Sequence, residues 1–242
     1  GMGGRLDATT ALDYKACLIT NVGLDHTEYL GDTFEQIAYE KSGIFKPNVP
    51  ALTTEDKPEC QKVMELVADY MKTPLCFIDC QETDVLRWNG MTLHLNPPLY
   101  QAKNLSLALE TLSVLGIWLE EKEIQEVINH FQWAGRFMIL RKEPLVLLDG
   151  AHNVHGITAL THSLKGFNGK IYFSVLKEKD APHMIELLQS ISKDISLVEI
   201  SSARLYPLEK LGYPIITVDE LISRLLDTKE DSLLCGSLYY VG

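Results

Sequence analysis

The stretch that most constrains the fold is residues 137–241. Short apolar runs alternate there with amphipathic ones: "FMILRKEPLVLLD", "GITALTHSLKG", "KIYFSV", "APHMIELLQSI", "ISLVEI", "VDELISRLL" and "SLLCGSLYYV". Short apolar runs bounded by turn residues read as buried strands. The runs between them repeat apolar residues at helical spacing. Parallel strands need a crossover of helix length, so this alternation indicates an α/β fold: a parallel-rich sheet with helices on its faces.

The first half has its own pattern. "ACLITNVGL" reads as a buried strand and "DTFEQIAYEKSGIF" as a helix, with Asp32 and Glu35 at capping-box-like spacing and Pro47 ending the segment. "PALTT" and "LCFI" read as further strands. Between them "KPECQKVMELVADYMK" is an amphipathic helix, with Pro58 in its first turn and Val63, Leu66, Val67, Tyr70 and Met71 as its apolar stripe. "DVLRWNGMTLHLN" alternates around Asn89-Gly90, a strong hairpin signal. Two helices follow, "NLSLALETLSVLGIW" and "EEKEIQEVINHFQ", the second with Ile124, Val127, Ile128 and Phe131 on its apolar face. A new pattern begins near Trp133, which places a domain boundary at about 134–137 and two domains at 1–134 and 135–242.

Composition removes several functions. The chain has 242 residues, 46% hydrophobic and 23% charged, as in ordinary globular domains. No apolar run approaches the roughly 18 residues of a membrane helix, and no signal peptide is visible; the expectation is a cytoplasmic protein without a membrane partner. Five cysteines, an odd count without a CxxC pair, read as reduced thiols. A net charge of −11 argues against a general nucleic-acid binder. It leaves room for a nucleotide, whose phosphates are held locally by metal, backbone N–H groups and single basic residues.

Polar clusters fall where ligands bind in such sheets, at the carboxyl ends of strands. "TNVGLDH" delivers Asp25 and His26; the imidazole suits a metal or phosphate, and the pair equally suits a cap and a loop histidine. "YEKSGIFK" puts Glu40 and Lys41 on the following helix, where a lysine is ordinarily a solvated face residue. "LLDGAHNVHG" ends a strand at Asp149, turns through a glycine and sets His152 and Asn153 before a helix, whose N-terminus attracts anions. His152 and His155 lack a third ligand close in sequence and do not read as a metal pair. "WAGRF" offers Arg136 at the domain junction, a planar fork for phosphate or half of a surface ion pair. "QAKNLSLAL" offers Gln101 and Asn104, and "CGSLYYV" places Ser237 after a strand. There is no GxSxG, HExxH or GxGxxG.

In order, "GMGGRLDATT", "TNVGLDHTEYLGDT", "IAYEKSGIFK", "QAKNLSLAL", "WAGRF", "LDGAHNVHG", "KEKD" and "GSLYYVG" strongly resemble the folylpolyglutamate synthase/dihydrofolate synthase family of the Mur ligase superfamily. The resemblance runs along nearly the whole chain. It implies part of a Mur-ligase-type central ATP-binding domain followed by a Rossmann-like C-terminal ligase domain. It also implies ATP-dependent addition of L-glutamate to folate or dihydropteroate: ATP phosphorylates a carboxylate, and the amine of glutamate attacks the acyl phosphate. Carried over by this resemblance, His26 is a Mg²⁺ ligand and Lys41 the lysine that carbon dioxide carbamylates, turning a cation into an oxygen ligand for Mg²⁺. Asn104, Arg136 and Asp149 match nucleotide-contacting positions, His152 an active-site position and Ser237 a position near glutamate.

The same resemblance marks departures. Family members carry a P-loop of the GTNGKGS type; these residues contain no GxxxxGK[ST], and the family's magnesium-binding Glu before "GMGG" is absent too. "GMGGRLDATT" then reads as an internal turn, and the expectation is a fragment with little or no turnover that self-associates through its shortened central sheet. The alternatives are a subunit completed by a separate P-loop polypeptide, a non-catalytic nucleotide- or folate-binding module, and another Mur-type ligase with a different acid substrate.

Overall fold

The computed structural model describes residues 3–24 and 27–237. The chain divides into two compact units, Gly1–Asn129 and His130–Gly242.

The first unit contains a parallel sheet in the order β1 (Cys17–Ile19), β2 (Ala51–Thr53), β3 (Leu75–Phe77). α1 (Thr27–Leu30) and α2 (Phe34–Ser42) connect β1 to β2, and α3 (Pro58–Met71) connects β2 to β3. α2 opens with a capping box one residue beyond the expected position. Thr33 accepts from the Gln36 N–H at 3.2 Å, and the Gln36 amide oxygen reaches back to the N–H groups of Asp32 and Thr33 at 2.7 and 3.3 Å. The helix ends at Ser42, well before Pro47, because a turn takes its last carbonyls: Gly4 and Arg5 donate N–H groups to the Glu40 oxygen at 2.8 and 3.0 Å. That approach demands glycine on both sides. A Cβ on Gly4 would lie 2.4 Å from the Lys41 oxygen, and one on Gly43 2.4 Å from Arg5 Cα.

α3 buries Cys60, Met64 and Ala68 rather than the expected stripe. Val63, Val67 and Met71 are only partly covered, while Leu66 and Tyr70 are 64% and 84% exposed. Small residues at 60 and 68 let the helix lie close to its neighbours, and the bulkier stripe is left at the rim. The hairpin β4 (Val85–Trp88) and β5 (Met91–His94) turns at Asn89 and Gly90, both at positive φ (47° and 82°), the geometry of a type I′ turn. It packs on α4 (Gln101–Val114) and α5 (Glu121–His130) through Leu86, Trp88, Leu93, Ala102, Leu109 and Ile124. Of the apolar face expected on α5, Ile124 is buried and Ile128 partly so; Val127 and Phe131 are exposed.

The second unit runs β6 (Met138–Lys142), β7 (Leu145–Asp149), α6 (Val154–Ser163), β8 (Lys170–Phe173), α7 (Ala181–Leu188), β9 (Ile195–Glu199), β10 (Ile215–Thr217), α8 (Val218–Asp227) and β11 (Ser232–Cys235). The sheet order is β10-β9-β8-β11-β7-β6, parallel throughout except that β6 runs antiparallel to β7. Alternate strand residues serve two cores. Leu147, Ile171, Phe173 and Leu233 meet Ile157, Leu160, Met184 and Leu188 of α6 and α7. Val146, Leu148, Tyr172 and Leu234 meet Leu221 of α8. The sheet thus carries helices on both faces, as its sequence pattern requires. No helix among the described residues is long and apolar enough to cross a membrane.

Candidate functional site

β11 lies between β7 and β8, with Cys235 in register with both Asp149 and Phe173. The residues just beyond these strands therefore share one edge: 150–153 after β7, Ser174 after β8, Gly236 and Ser237 after β11. Gly236 has φ 112°, and a Cβ there would lie 2.2 Å from the Ser174 oxygen. Only glycine fits that exit. The edge is where a parallel sheet offers a crevice to ligands.

Asp149 organises this edge. It is 3% exposed, and each carboxylate oxygen accepts a backbone N–H: Oδ1 from Ala151 and Oδ2 from Phe137, both at 2.8 Å. Gly150 N–H donates to the Gly135 oxygen at 2.7 Å, and Arg136 N–H to the Trp133 oxygen at 3.0 Å. Residues 133–137 are thereby fastened across the exit of β7, with Phe137 held at φ 45°. A non-glycine residue in that region persists only where its surroundings fix it. Arg136 projects from this fastened turn and is half-buried.

His152 Nδ1 lies 2.9 Å from the Gly150 oxygen. A carbonyl only accepts, so Nδ1 is the donor, and in the neutral tautomer with that proton the lone pair is at Nε2. Asn153 caps α6, its side-chain oxygen accepting from Gly156 N–H at 2.8 Å. Ser237 is 1% exposed at the exit of β11. Four of the sequence-predicted residues, Arg136, Asp149, His152 and Ser237, thus meet at one edge of one sheet.

The remaining predicted residues belong to the first unit. Lys41 sits half-buried in the last turn of α2, beneath the turn that contains Gly4. Asn104 is exposed on α4 and donates to the Gln101 side-chain oxygen at 2.9 Å. His26, with Asp25, lies outside the described residues. No group of three or more His, Cys, Asp or Glu side chains that could hold a metal occurs among the described residues. An apolar groove of about 1010 Å³ between α2 and α3, lined by Leu30, Tyr39, Phe45, Val63, Leu66 and Tyr70 among others, includes Glu40 but not Lys41, Asn104, Arg136, Asp149, His152 or Ser237.

Sequence reasoning passed over Glu55 and Lys57, a pair just beyond β2 with the Glu55 side chain fully buried. Their only signal was a charged tripeptide, Glu55-Asp56-Lys57, following directly on a strand.

No family model matches the chain. A dihydrofolate synthase/folylpolyglutamate synthase of Buchnera aphidicola subsp. Schizaphis graminum is 34% identical over 204 residues, covering 78% of this chain and 48% of that protein. The structure of Escherichia coli FolC in complex with ADP matches with a TM-score of 0.83 and 29% identity, covering 100% of this chain and 63% of that one. The chain is a homologue of the folylpolyglutamate/dihydrofolate synthases. A further synthase of this family, solved with Mn, AMPPNP and L-glutamate bound, matches with a TM-score of 0.83 and 27% identity, again over 100% of this chain and 63% of that one. The chain therefore spans about half the length of the Buchnera synthase and somewhat under two thirds of the solved ones. Its mixed α/β architecture, with a parallel sheet, a mixed sheet and an antiparallel hairpin among the described residues, is the Mur-ligase-type fold of these synthases.

Proposed function

We propose that the chain carries part of the active site of an ATP-dependent acid–amino acid ligase that adds L-glutamate to folate or dihydropteroate. The supporting observation is the edge of the second unit, where the turn bearing Arg136 is fastened by Asp149 beside His152 and Ser237. It lies within a homologue of synthases that have been solved with ADP, and with AMPPNP, Mn and L-glutamate.

In such a ligase the carboxylate of the acceptor takes the γ-phosphoryl group of ATP, releasing ADP. The glutamate amine then displaces phosphate to form the amide. The chain's own residues supply donors and a proton acceptor. Arg136 offers a planar set of N–H donors to phosphate oxygens. Asp149 keeps that arginine's turn in place. His152, whose neutral form with Nδ1 protonated leaves a lone pair at Nε2, suits the proton released as the amine becomes an amide. Ser237 borders the same edge, and Asn104 belongs with the nucleotide contacts. For the metal, Lys41 and His26 are the proposed holders; a half-buried lysine with no hydrogen-bond or ion-pair partner among the described residues is compatible with carbamylation. Bound Mg²⁺ would neutralise phosphate charge.

Titration calorimetry with ATP and Mg²⁺, on the chain and on Arg136→Ala, tests the nucleotide half. Binding that weakens at least tenfold in the variant is expected. Absence of binding at millimolar ATP removes the proposal for this chain. Ligation is tested separately, by ADP release that depends on both dihydropteroate or folate and L-glutamate. These residues include no GxxxxGK[ST], so a nucleotide-binding module without turnover is the second reading. It predicts ATP binding that is indifferent to Lys41→Ala and to Mg²⁺.

A further inference from the structure

The exit of β2 carries a buried device that the ligase reading does not use. The Glu55 side chain is fully buried and its carboxylate receives four donors. Oε2 accepts the Val22 N–H, and Oε1 accepts the N–H groups of Asp56 (3.1 Å) and Lys57 (2.9 Å) and the Lys57 ammonium (3.1 Å). Lys57 Nζ also donates to the Val22 oxygen at 3.0 Å. A single ion pair thereby holds both polar groups of Val22, a residue with no exposed surface. One step earlier, Thr54 Oγ1 donates to the Thr20 oxygen at 2.6 Å.

Burying a carboxylate is costly unless it is paired and its lone pairs are filled, and both conditions are met here. A turn needs no such device merely to reverse direction. What an ion pair at this place adds is a fixed position for residues 20–24, which run directly into Asp25-His26. The neighbouring Asp56 extends the same exit to α4: its Oδ2 lies 2.7 Å from Lys103 Nζ, one residue before Asn104. Three consecutive side chains of the β2 exit thus reach Val22, in the stretch after β1, and α4, the helix that carries Asn104.

We propose that Glu55, with Lys57, is a positioning residue of the ligase site that sets residues 20–24, the stretch that precedes Asp25 and His26 in the sequence; this rests on the ligase reading for the role of His26. It acts through Val22 and touches no reactant. Supporting groups of this kind fix the residues that meet a metal or substrate, and their loss weakens binding without removing a ligand.

The test compares the full chain with Glu55→Gln, Lys57→Met and Lys57→Arg, each checked for intact circular dichroism. A glutamine accepts on one side only, so either Val22 or the Asp56 and Lys57 amides lose their acceptor. Amide hydrogen exchange at residues 20–24 is expected to rise at least tenfold in Glu55→Gln and Lys57→Met, with β7 and β11 unchanged. Mn²⁺ titrations in the presence of AMPPNP, followed by electron paramagnetic resonance, are expected to show at least tenfold weaker metal uptake. Metal-free ADP affinity should stay within twofold, and Lys57→Arg should restore metal uptake. Unchanged exchange at residues 20–24 in a folded variant overturns the proposal, as does faster exchange with unchanged Mn²⁺ uptake. If Glu55→Gln does not fold, Lys57→Met against Lys57→Arg decides by the same two readings. No Mn²⁺ uptake by the unmodified chain defeats the ligase reading instead, and the exchange measurement still decides whether Glu55 holds the loop.

Discussion

Glu55 in the first unit and Asp149 in the second stand in the same place on different sheets. Each is a buried carboxylate at or just past the carboxyl end of a parallel strand, and each fastens a loop from elsewhere in the chain. They differ in how the charge is met. Glu55 shares its lone pairs between backbone N–H groups and an ammonium, whereas Asp149 holds two loops together through backbone N–H groups, one on each oxygen. In both places backbone N–H groups on the carboxylate organise the strand exit. At Glu55 the ammonium of Lys57 also grips a carbonyl, which a carboxylate itself cannot do.

Each carboxylate also has a buried thiol as neighbour. Burial, with Glu55 adding to it, pushes Cys60 up to about 12, and burial together with Asp149 pushes Cys235 well above the ordinary thiol range. Both thiols stay protonated and inert in the folded chain, so alkylation of Cys60 or Cys235 reports opening of one unit or the other. The sign of the pH effect follows. The folded state binds the thiol proton more tightly than the unfolded state, so stability from the neutral thiols is complete below about pH 8.5 and falls as pH rises from there toward about 12.

The largest effect is expected from Glu55→Ala. It leaves the Lys57 ammonium beside Val22 without its counterion, which costs about 3 kcal/mol, at the low end for a buried pair because the Lys57 side chain is 27% exposed. Cys60 should become reactive in this variant while Cys235 remains protected. Adding Lys57→Met should recover part of the loss, since no orphaned charge remains. Failure of that recovery in urea melts would mean that the pair is held by its backbone contacts rather than by charge.

Asp149→Asn comes next. An amide has one accepting oxygen, so the N–H of Phe137 or of Ala151 loses its partner, at about 2 kcal/mol for a buried unsatisfied group. Cys235 should gain reactivity and Cys60 should not. The same variant should weaken ATP binding, because the turn bearing Arg136 is no longer pinned. Equal loss of protection at both thiols would break the comparison, since it would make the two exits parts of one cooperative device.

These two carboxylates also mark how far the sequence could be read. Asp149 stands out because a strand ends on it and a Gly-rich turn and a helix follow, so local chemistry announces a ligand edge. Glu55 is invisible because its need for burial arises from Val22, 33 residues earlier in the chain. The strand–helix alternation of the second unit was legible, as was the Asn89-Gly90 hairpin, because period and turn chemistry are local. β10 was not, since Ile215–Thr217 is too short to show a period. The inward face of α3 was misread because two stripes satisfy helical spacing, and the structure buries the one with the smaller residues, Cys60, Met64 and Ala68. The capping box of α2 was placed one residue early, since acidic residues at that spacing look like a box until the Gln36 amide is seen reaching back to Thr33.

The smallest effect tests the outer arm of the Glu55 exit, the ion pair between Asp56 and Lys103. The hydrogen bond and charge of Lys103 hold Asp56 below the usual carboxylate range. Burial pulls Lys103 down, but its hydrogen bond to Asp56 and that charge outweigh the pull and leave it raised. Asp56 thus contributes stability that is present above about pH 4 and lost as pH falls through its lowered value, while Lys103 contributes stability that is present below about pH 10.4 and lost as pH rises past it. With the Asp56 side chain 69% exposed, the pair is worth less than about 1 kcal/mol. Asp56→Asn should therefore shift urea midpoints slightly at pH 7 and not at all near pH 2, and moderate salt should reduce the shift. The inner arm behaves differently: the Glu55 variants should keep their deficit in salt, because a side chain with no exposed surface is poorly screened. If salt erases both deficits alike, Glu55 is no more shielded than the surface pair, and the likeness drawn between it and Asp149 fails.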